Sequence, residues 1–283
     1  MAFIEARGVK LAYERVGEWE PGDGNGPARA DSSIGAAEGV PLILLNGIAM
    51  SISHWKPMIA ALPEGTPCLC HDFRGQTLSD KPAGPYSLEM HADDLAALMD
   101  GLGMARGHIV GTSYGSEVAM EFAIKYPERA ASLVVIDGVS ELDPVLEGAA
   151  ISWMESAKVD PRVFYKAMLP WTYSATFIAS NRASLAARED GVAGLPRAWF
   201  DGFVELCRAF LAIDITPRLG KIHCPTTVIV GEKDILKPLR FSEIIARRIP
   251  GATMSIIPGA GHAVVIEQPA HIAEEVWRAV SSR

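Results

Sequence analysis

Gly111-Thr112-Ser113-Tyr114-Gly115 decides how this chain is read. It has the pattern G-x-S-x-G, follows the apolar run His108-Ile109-Val110, and precedes Ser116-Glu117-Val118-Ala119-Met120-Glu121-Phe122-Ala123. The spacing of that last stretch predicts a helix. Strand, sharp turn and helix are the context in which the pattern becomes a nucleophile elbow. A serine held at such a turn points its oxygen away from the sheet. Its neighbours must be small, because strand and helix nearly touch there. Gly111 and Gly115 meet that demand, and small Ser116 and Ala119 let the helix approach. Taken alone, the pentapeptide reads equally as a glycine-bracketed turn with an incidental serine. The surrounding residues carry the decision.

Working outward, further strands are expected on both sides. Phe3 to Ala6 and Val9 to Val16 read as a pair joined at Gly8. Pro41-Leu42-Ile43-Leu44-Leu45 and Pro67 to Cys70 are continuous apolar runs suited to strands buried on both faces. Ser132 to Ile136, Thr226 to Val230 and Thr253 to Ile257 complete the series. Ser87 is placed to cap a helix running to Leu102, with Leu88, Leu95, Leu98, Met99 and Leu102 at helical spacing. Strands alternating with helices imply an α/β fold with a mostly parallel central sheet flanked by helices. Gly17 to Gly39, rich in Gly, Pro, Ala, Asp and Ser, predicts a long mobile loop.

After Ile136 the rhythm changes. Residues 140–215 are helical in pattern and are expected to form a cap inserted after the sixth strand, leaving 1–139 and 216–283 as the core domain. An insertion there lies over the carboxyl ends of the strands, where ligands of open α/β sheets bind.

Composition sets the outer bounds. The 283 residues are 49% hydrophobic and 21% charged, with a formal net charge of −8, as in a soluble globular protein. No Lys/Arg cluster offers a track for phosphates, so nucleic acid is not an expected partner. No apolar stretch reaches the roughly 18 residues that suggest a spanning helix, and the first residues lack a signal-peptide pattern. Cys68, Cys70, Cys207 and Cys224 form no C-x-x-C pair and read as reduced thiols in a cytoplasmic protein. The histidines show no metal-ligand spacing, so no metal is expected, and a serine nucleophile needs no cofactor. The sequence carries no signal for an oligomeric state.

A serine hydroxyl needs a base, and an imidazole serves best when a carboxylate fixes its tautomer. In this architecture the chain order is Ser, acid, His, each at the carboxyl end of a strand. Asp234 follows Thr226-Val230 in Gly231-Glu232-Lys233-Asp234, and His262 follows Ile257 in Pro258-Gly259-Ala260-Gly261-His262. The expected catalytic residues are therefore Ser113, Asp234 and His262. Asp137, at the end of Leu133–Ile136, is the alternative acid. Asp72 and Arg74 are expected as a structural ion pair. His54 is a candidate for lining the pocket, but a surface helix position is expected.

These motifs, together with Leu45-Asn46-Gly47, Asp72-Phe73-Arg74-Gly75 and Ser79-Asp80-Lys81-Pro82, resemble the α/β-hydrolase fold family from about residue 40 onward. The resemblance implies an oxyanion hole made by the backbone N–H groups of Ile48 and Tyr114. Asn46 stands where the family commonly has histidine, and Gln76-Thr77 also departs from the family pattern. Leu45-Asn46-Gly47 and Pro85-Tyr86-Ser87-Leu88 are similar to 3-oxoadipate enol-lactonases. The aromatic-rich cap, with Met50 on the oxyanion loop, implies an apolar pocket that includes Trp153, Trp171 and Trp199. One of Arg162, Arg182, Arg188 and Arg197 is a candidate for a substrate carboxylate, set against the plainer reading of solvated arginines. The expected function is a serine hydrolase acting on an ester or lactone of a small to medium, largely apolar compound, with no membrane partner. C–C bond hydrolysis, perhydrolysis and a non-catalytic receptor on the same fold are the alternatives. Activity is expected to rise with pH through the histidine's titration.

Overall fold

The computed structural model describes residues 1–17 and 40–281. Strands β1 (Ala2–Ala6) and β2 (Val9–Val16) form an antiparallel hairpin. Arg7 and Gly8, at its turn, take φ of 52° and 74°, the left-handed geometry that matches the twist of a two-residue hairpin. The loop expected at Gly17–Gly39 lies, beyond Gly17, outside the described residues.

The remaining strands are β3 (Leu42–Leu45), β4 (Cys68–His71), β5 (Gly107–Thr112), β6 (Ala130–Ile136), β7 (Thr226–Gly231) and β8 (Thr253–Ile257). They make one eight-stranded sheet in the order β1-β2-β4-β3-β5-β6-β7-β8. β2 pairs antiparallel with β4, and every pairing from β4 to β8 is parallel. β3 and β4 begin one residue after the expected prolines. Proline has no N–H to give the ladder, but its carbonyl still serves: Leu42 N donates to Pro67 O and His108 N to Pro41 O.

Side chains alternate between two cores. Ile43, Leu45, Leu69 and Ile109 pack into one apolar cluster, and Leu42, Leu44, Cys68, Cys70 and Val110 into the other. Helix α1 (Lys56–Ile59) contributes Met58 to the second cluster. Helices α2 (Leu88–Gly101) and α3 (Tyr114–Lys125) lie on the first face, with Leu95, Leu98, Val118 and Phe122 fully buried. Each such side chain contributes about 1.5–3 kcal/mol by leaving water. Ser87 caps α2 as expected, its Oγ accepting from Met90 N at 3.0 Å.

Between β6 and β7 the chain forms α4 (Pro144–Val159), α5 (Pro161–Thr172), α6 (Ala175–Ser180), α7 (Arg182–Ala193) and α8 (Arg197–Leu211). The starts of α4 and α5 are set by an Asp-Pro pair. Asp143 Oδ1 accepts from Leu146 N at 2.8 Å, and Asp160 Oδ1 from Arg162 N at 2.8 Å and Val163 N at 2.9 Å, satisfying donors a helix start leaves open. Phe164 of α5 packs against Trp199, Phe200 and Phe203 of α8. After β7 come α9 (Leu239–Arg248), α10 (Val264–Glu267) and α11 (Pro269–Ser281), the last packing Ile272 and Val276 onto the second face. Among the described residues no helix is long and apolar enough to cross a membrane.

Candidate active site

Ser113 sits between β5 and α3 with φ 52° and ψ −120°, a backbone conformation that a non-glycine residue rarely adopts. Its surroundings hold it there. Ser113 N donates to Ile136 O at 2.8 Å, and Ser116 N to Ser113 O at 2.8 Å. The fully buried Ser116 Oγ lies 2.7 Å from Gly111 O and accepts from Ile136 N at 3.0 Å. A Cβ at Gly111 would fall 2.2 Å from Gly115 O, and one at Gly115 would fall 2.1 Å from Leu45 O. Both glycines are therefore required by contact between backbones.

The ends of β7 and β8 deliver the other two side chains. His262 Nε2 lies 2.8 Å from Ser113 Oγ, and His262 Nδ1 lies 2.8 Å from Asp234 Oδ2. Asp234 Oδ1 accepts from Leu236 N at 2.9 Å and Lys237 N at 2.8 Å. The carboxylate is thus fixed by its own turn, with one oxygen left for the imidazole. Asp137, the alternative acid, is fully buried beside this pair at φ 50°, but its Oδ1 accepts from Gly231 N at 2.8 Å and makes no bond to His262. Burial, then the neighbouring Asp234, holds its carboxyl well above the usual range. Donor atoms of Asp137, Asp234 and His262 lie within 4.8 Å of one another. The Asp234–His262–Ser113 hydrogen bonds occupy both ring nitrogens, which argues for a proton relay over a metal cage.

Ile48 occupies a turn directly after β3, and Tyr114 is the first residue of α3. Gln76, partnered by Asn46, braces the Ile48 turn. Asn46 Nδ2 lies within hydrogen-bond distance of Asp72 Oδ1 at 3.0 Å and Gln76 Oε1 at 3.2 Å, and its Oδ1 accepts from Trp55 Nε1 at 2.8 Å. Gln76 Nε2 donates to Gly47 O at 2.8 Å. The two departures from the family pattern are therefore partners. Asp72 does not pair with Arg74 as expected. It accepts from Ile52 N at 3.0 Å and Leu78 N at 3.1 Å, while Arg74 forms a two-pronged pair with Asp94 at 2.5 and 2.6 Å. Asp72 is drawn to the open backbone N–H groups of Leu78 in its own turn and of Ile52 at the start of the short helical turn Ile52–Trp55, and Arg74 reaches α2.

Sequence reading also missed a pair beneath the elbow. Lys237 Nζ reaches Glu117 Oε1 at 3.0 Å with both side chains buried, and Glu117 Oε1 accepts from Val139 N. Burial raises the Glu117 carboxyl, and Lys237 pulls it back. The pair ties the turn of Asp234 to the helix of Ser113. Its signal was a glutamate on a helix otherwise built to be buried, since such a charge requires a partner.

A cavity of about 330 Å³ is lined by Ser113 and His262 on one side and by residues of α4, α5, α7 and α8 on the other. Met50, Trp153 and Trp199 line it as expected. Trp171 does not. On α5 the lining positions are Phe164, Tyr165, Met168, Leu169 and Thr172, and at 3.6 residues per turn Trp171 falls roughly a quarter-turn from the centre of that face. His54 is half-buried and lines the cavity, the alternative to the expected surface position.

A serine elbow on a mostly parallel sheet, facing a histidine and an aspartate in this chain order, defines a hydrolase. A model of the alpha/beta hydrolase family matches residues 42–275, and the chain belongs to that family. A Caulobacter segnis protein provisionally named carbamate hydrolase RutD is 31% identical over 81% of this chain and 86% of its own length. The 3-oxoadipate enol-lactonase 2 of Acinetobacter baylyi is 25% identical over 87% of this chain and 92% of its own. The crystal structure of MGS-M2, an alpha/beta hydrolase from a Medee basin deep-sea metagenome library, superposes with a TM-score of 0.88 at 25% identity, covering 98% of this chain and 96% of that one.

Proposed function

We propose that this chain is a serine hydrolase that cleaves a carboxylic ester or lactone through an acyl-enzyme. The observation that carries the reading is the unbroken line from Asp234 Oδ2 through His262 to Ser113 Oγ, with 2.8 Å at each junction. Ser113 Oγ attacks the substrate carbonyl carbon while its proton passes to His262 Nε2. The tetrahedral oxyanion is received by the backbone N–H groups of Ile48 and Tyr114. The first N–H groups of a helix have no partner within it and face the positive end of its dipole, so Tyr114 suits that role. Such donors contribute several kcal/mol of barrier lowering. His262 returns the proton to the leaving alkoxide, the C–O bond breaks, and the acyl group remains on Ser113. A water then loses its proton to His262, attacks the acyl carbon and releases the acid. Residues 140–215 act as the cap that closes over this chemistry.

The relatives' names support acyl chemistry at a carbonyl bonded to a heteroatom: a carbamate in one and an enol-lactone in the other. Mixing the protein with 4-nitrophenyl butanoate should give a burst of 4-nitrophenol, one equivalent per protein chain, followed by steady turnover. Ser113→Ala should abolish the burst and lower kcat by a factor on the order of 10⁴ or more. Absence of turnover on esters, lactones and carbamates alike would refute the proposal.

A further inference from the structure

The cavity beside Ser113 is lined mainly by apolar and aromatic side chains, and Arg188 of α7 is the one charged side chain, Lys, Arg, Asp or Glu, in its described wall. Arginine keeps its charge throughout the accessible pH range, and a guanidinium facing an apolar cavity calls for an anion. Its neighbours on the helix do not supply one. Glu189 pairs with Arg162 and Lys166, and Asp190 with Arg162. The partner that Arg188 does have is neutral: its Nη1 donates to Tyr173 Oη at 2.6 Å. A second observation points the same way. Tyr165 Oη, on the same cavity wall, is buried without a hydrogen-bond partner, and a buried hydroxyl left unpaired costs free energy. His54 lines the same cavity, its Nδ1 turned to Ser51 N at 3.1 Å and Ser51 O at 3.2 Å.

We infer that Arg188, with the hydroxyls of Tyr165 and Tyr173, forms a site for a second, uncleaved carboxylate on the substrate, held at the α5–α7 side of the cavity while Ser113 attacks the carbonyl. A guanidinium flanked by hydroxyl donors fits the two oxygens and charge of a carboxylate. The His54 ring on the same wall, its protonation opposed by burial and then by the Arg188 charge, adds no competing cation. The substrate class is therefore the half-ester or lactone of a dicarboxylic acid, or an ester whose alcohol carries a carboxylate. The inference rests on the reading of Ser113 as nucleophile.

The test uses two matched pairs of probes and one binding measurement. Mono-4-nitrophenyl glutarate is compared with 4-nitrophenyl pentanoate, and 4-butanoyloxybenzoate with phenyl butanoate. In at least one pair the anionic ester should be favoured in kcat/KM by about 10- to 100-fold. In Arg188→Ala that ratio should fall to near one, Arg188→Lys should restore part of it, and Tyr165→Phe should lower it without removing a charge. Separately, glutarate should raise the melting temperature of Ser113→Ala more than pentanoate does, and Arg188→Ala added to that variant should abolish the difference. Equal turnover of both members of both pairs would overturn the carboxylate site, as would a loss in Arg188→Ala shared equally by neutral and anionic esters, or glutarate stabilisation that survives that variant. If no ester is turned over, the nucleophile reading fails, and the glutarate measurement still decides whether the anion site exists.

Discussion

At the scale of single residues, the division of labour between two neighbouring aspartates follows from their hydrogen bonds. Asp234 spends one oxygen on two backbone N–H groups and offers the other to His262. Asp137 is buried beside it with one oxygen on Gly231 N and the other without a partner. Asp234→Asn should misdirect the imidazole tautomer and lower kcat by a factor on the order of 10⁴. Asp137→Asn, close in shape to the neutral carboxyl that burial favours, should cost less than about tenfold. Steady-state kinetics of the two variants would reverse the assignment if Asp137→Asn were the crippled one. Ser113, Asp234 and His262 were legible because order and residue type suffice to find them. Tyr165 and the partnership of Asn46 with Gln76 were not, and His54 was read toward the surface. Each depends on contacts between segments far apart in the chain, made adjacent only by the packing of β3 against β4 or of α5 and α7 over the sheet.

At the scale of elements, the site depends on three backbones meeting at the elbow. β5, α3 and the end of β3 approach so closely that only hydrogen fits at Gly111 and Gly115. Gly115→Ala would push a methyl onto Leu45 O and Asn46 O, 2.1 and 2.8 Å from its ideal position. The relief has to come from the end of β3, which carries the Ile48 turn. The variant should therefore lose about 1–3 kcal/mol of stability and, with it, much of its rate of acylation. Thermal melting and burst kinetics check both, and a variant unchanged in either would contradict the close approach. Strand positions were well marked in the sequence, β8 to the residue, because apolar runs bounded by proline and glycine leave little freedom. The helices between β6 and β7 were visible only as a change of rhythm. Their faces follow from packing against each other, as Trp171 shows.

At the scale of the molecule, folding buries histidines that cannot easily be charged. His71 and His91 lie in an aromatic cluster with Phe73, Tyr86 and Tyr114, and burial lowers them from 6.5 to about 4 and about 3. The unfolded chain takes up these protons as pH drops below about 6.5, whereas the folded chain resists until its own lower values. Stability is thus whole above pH 6.5 and lost as pH falls toward 4, by about 1.4 kcal/mol per unit for each histidine. Asp72 and Asp137, raised by burial, act in the opposite sense, so the comparison must be between variants. Urea unfolding at pH 7.5 and pH 5 should show a drop in stability for the wild type and a smaller drop for His91→Phe. Equal drops would rule out the buried histidine as a source.

The central claim is that Ser113 Oγ is the nucleophile and that His262 makes it one. The most direct measurement treats the protein with a fluorophosphonate, digests it and locates the added mass. The account predicts one adduct per chain, on the peptide carrying Ser113, with labelling slowed by orders of magnitude in His262→Ala. An adduct at another residue, no adduct, or equal labelling of the His262→Ala variant would contradict it.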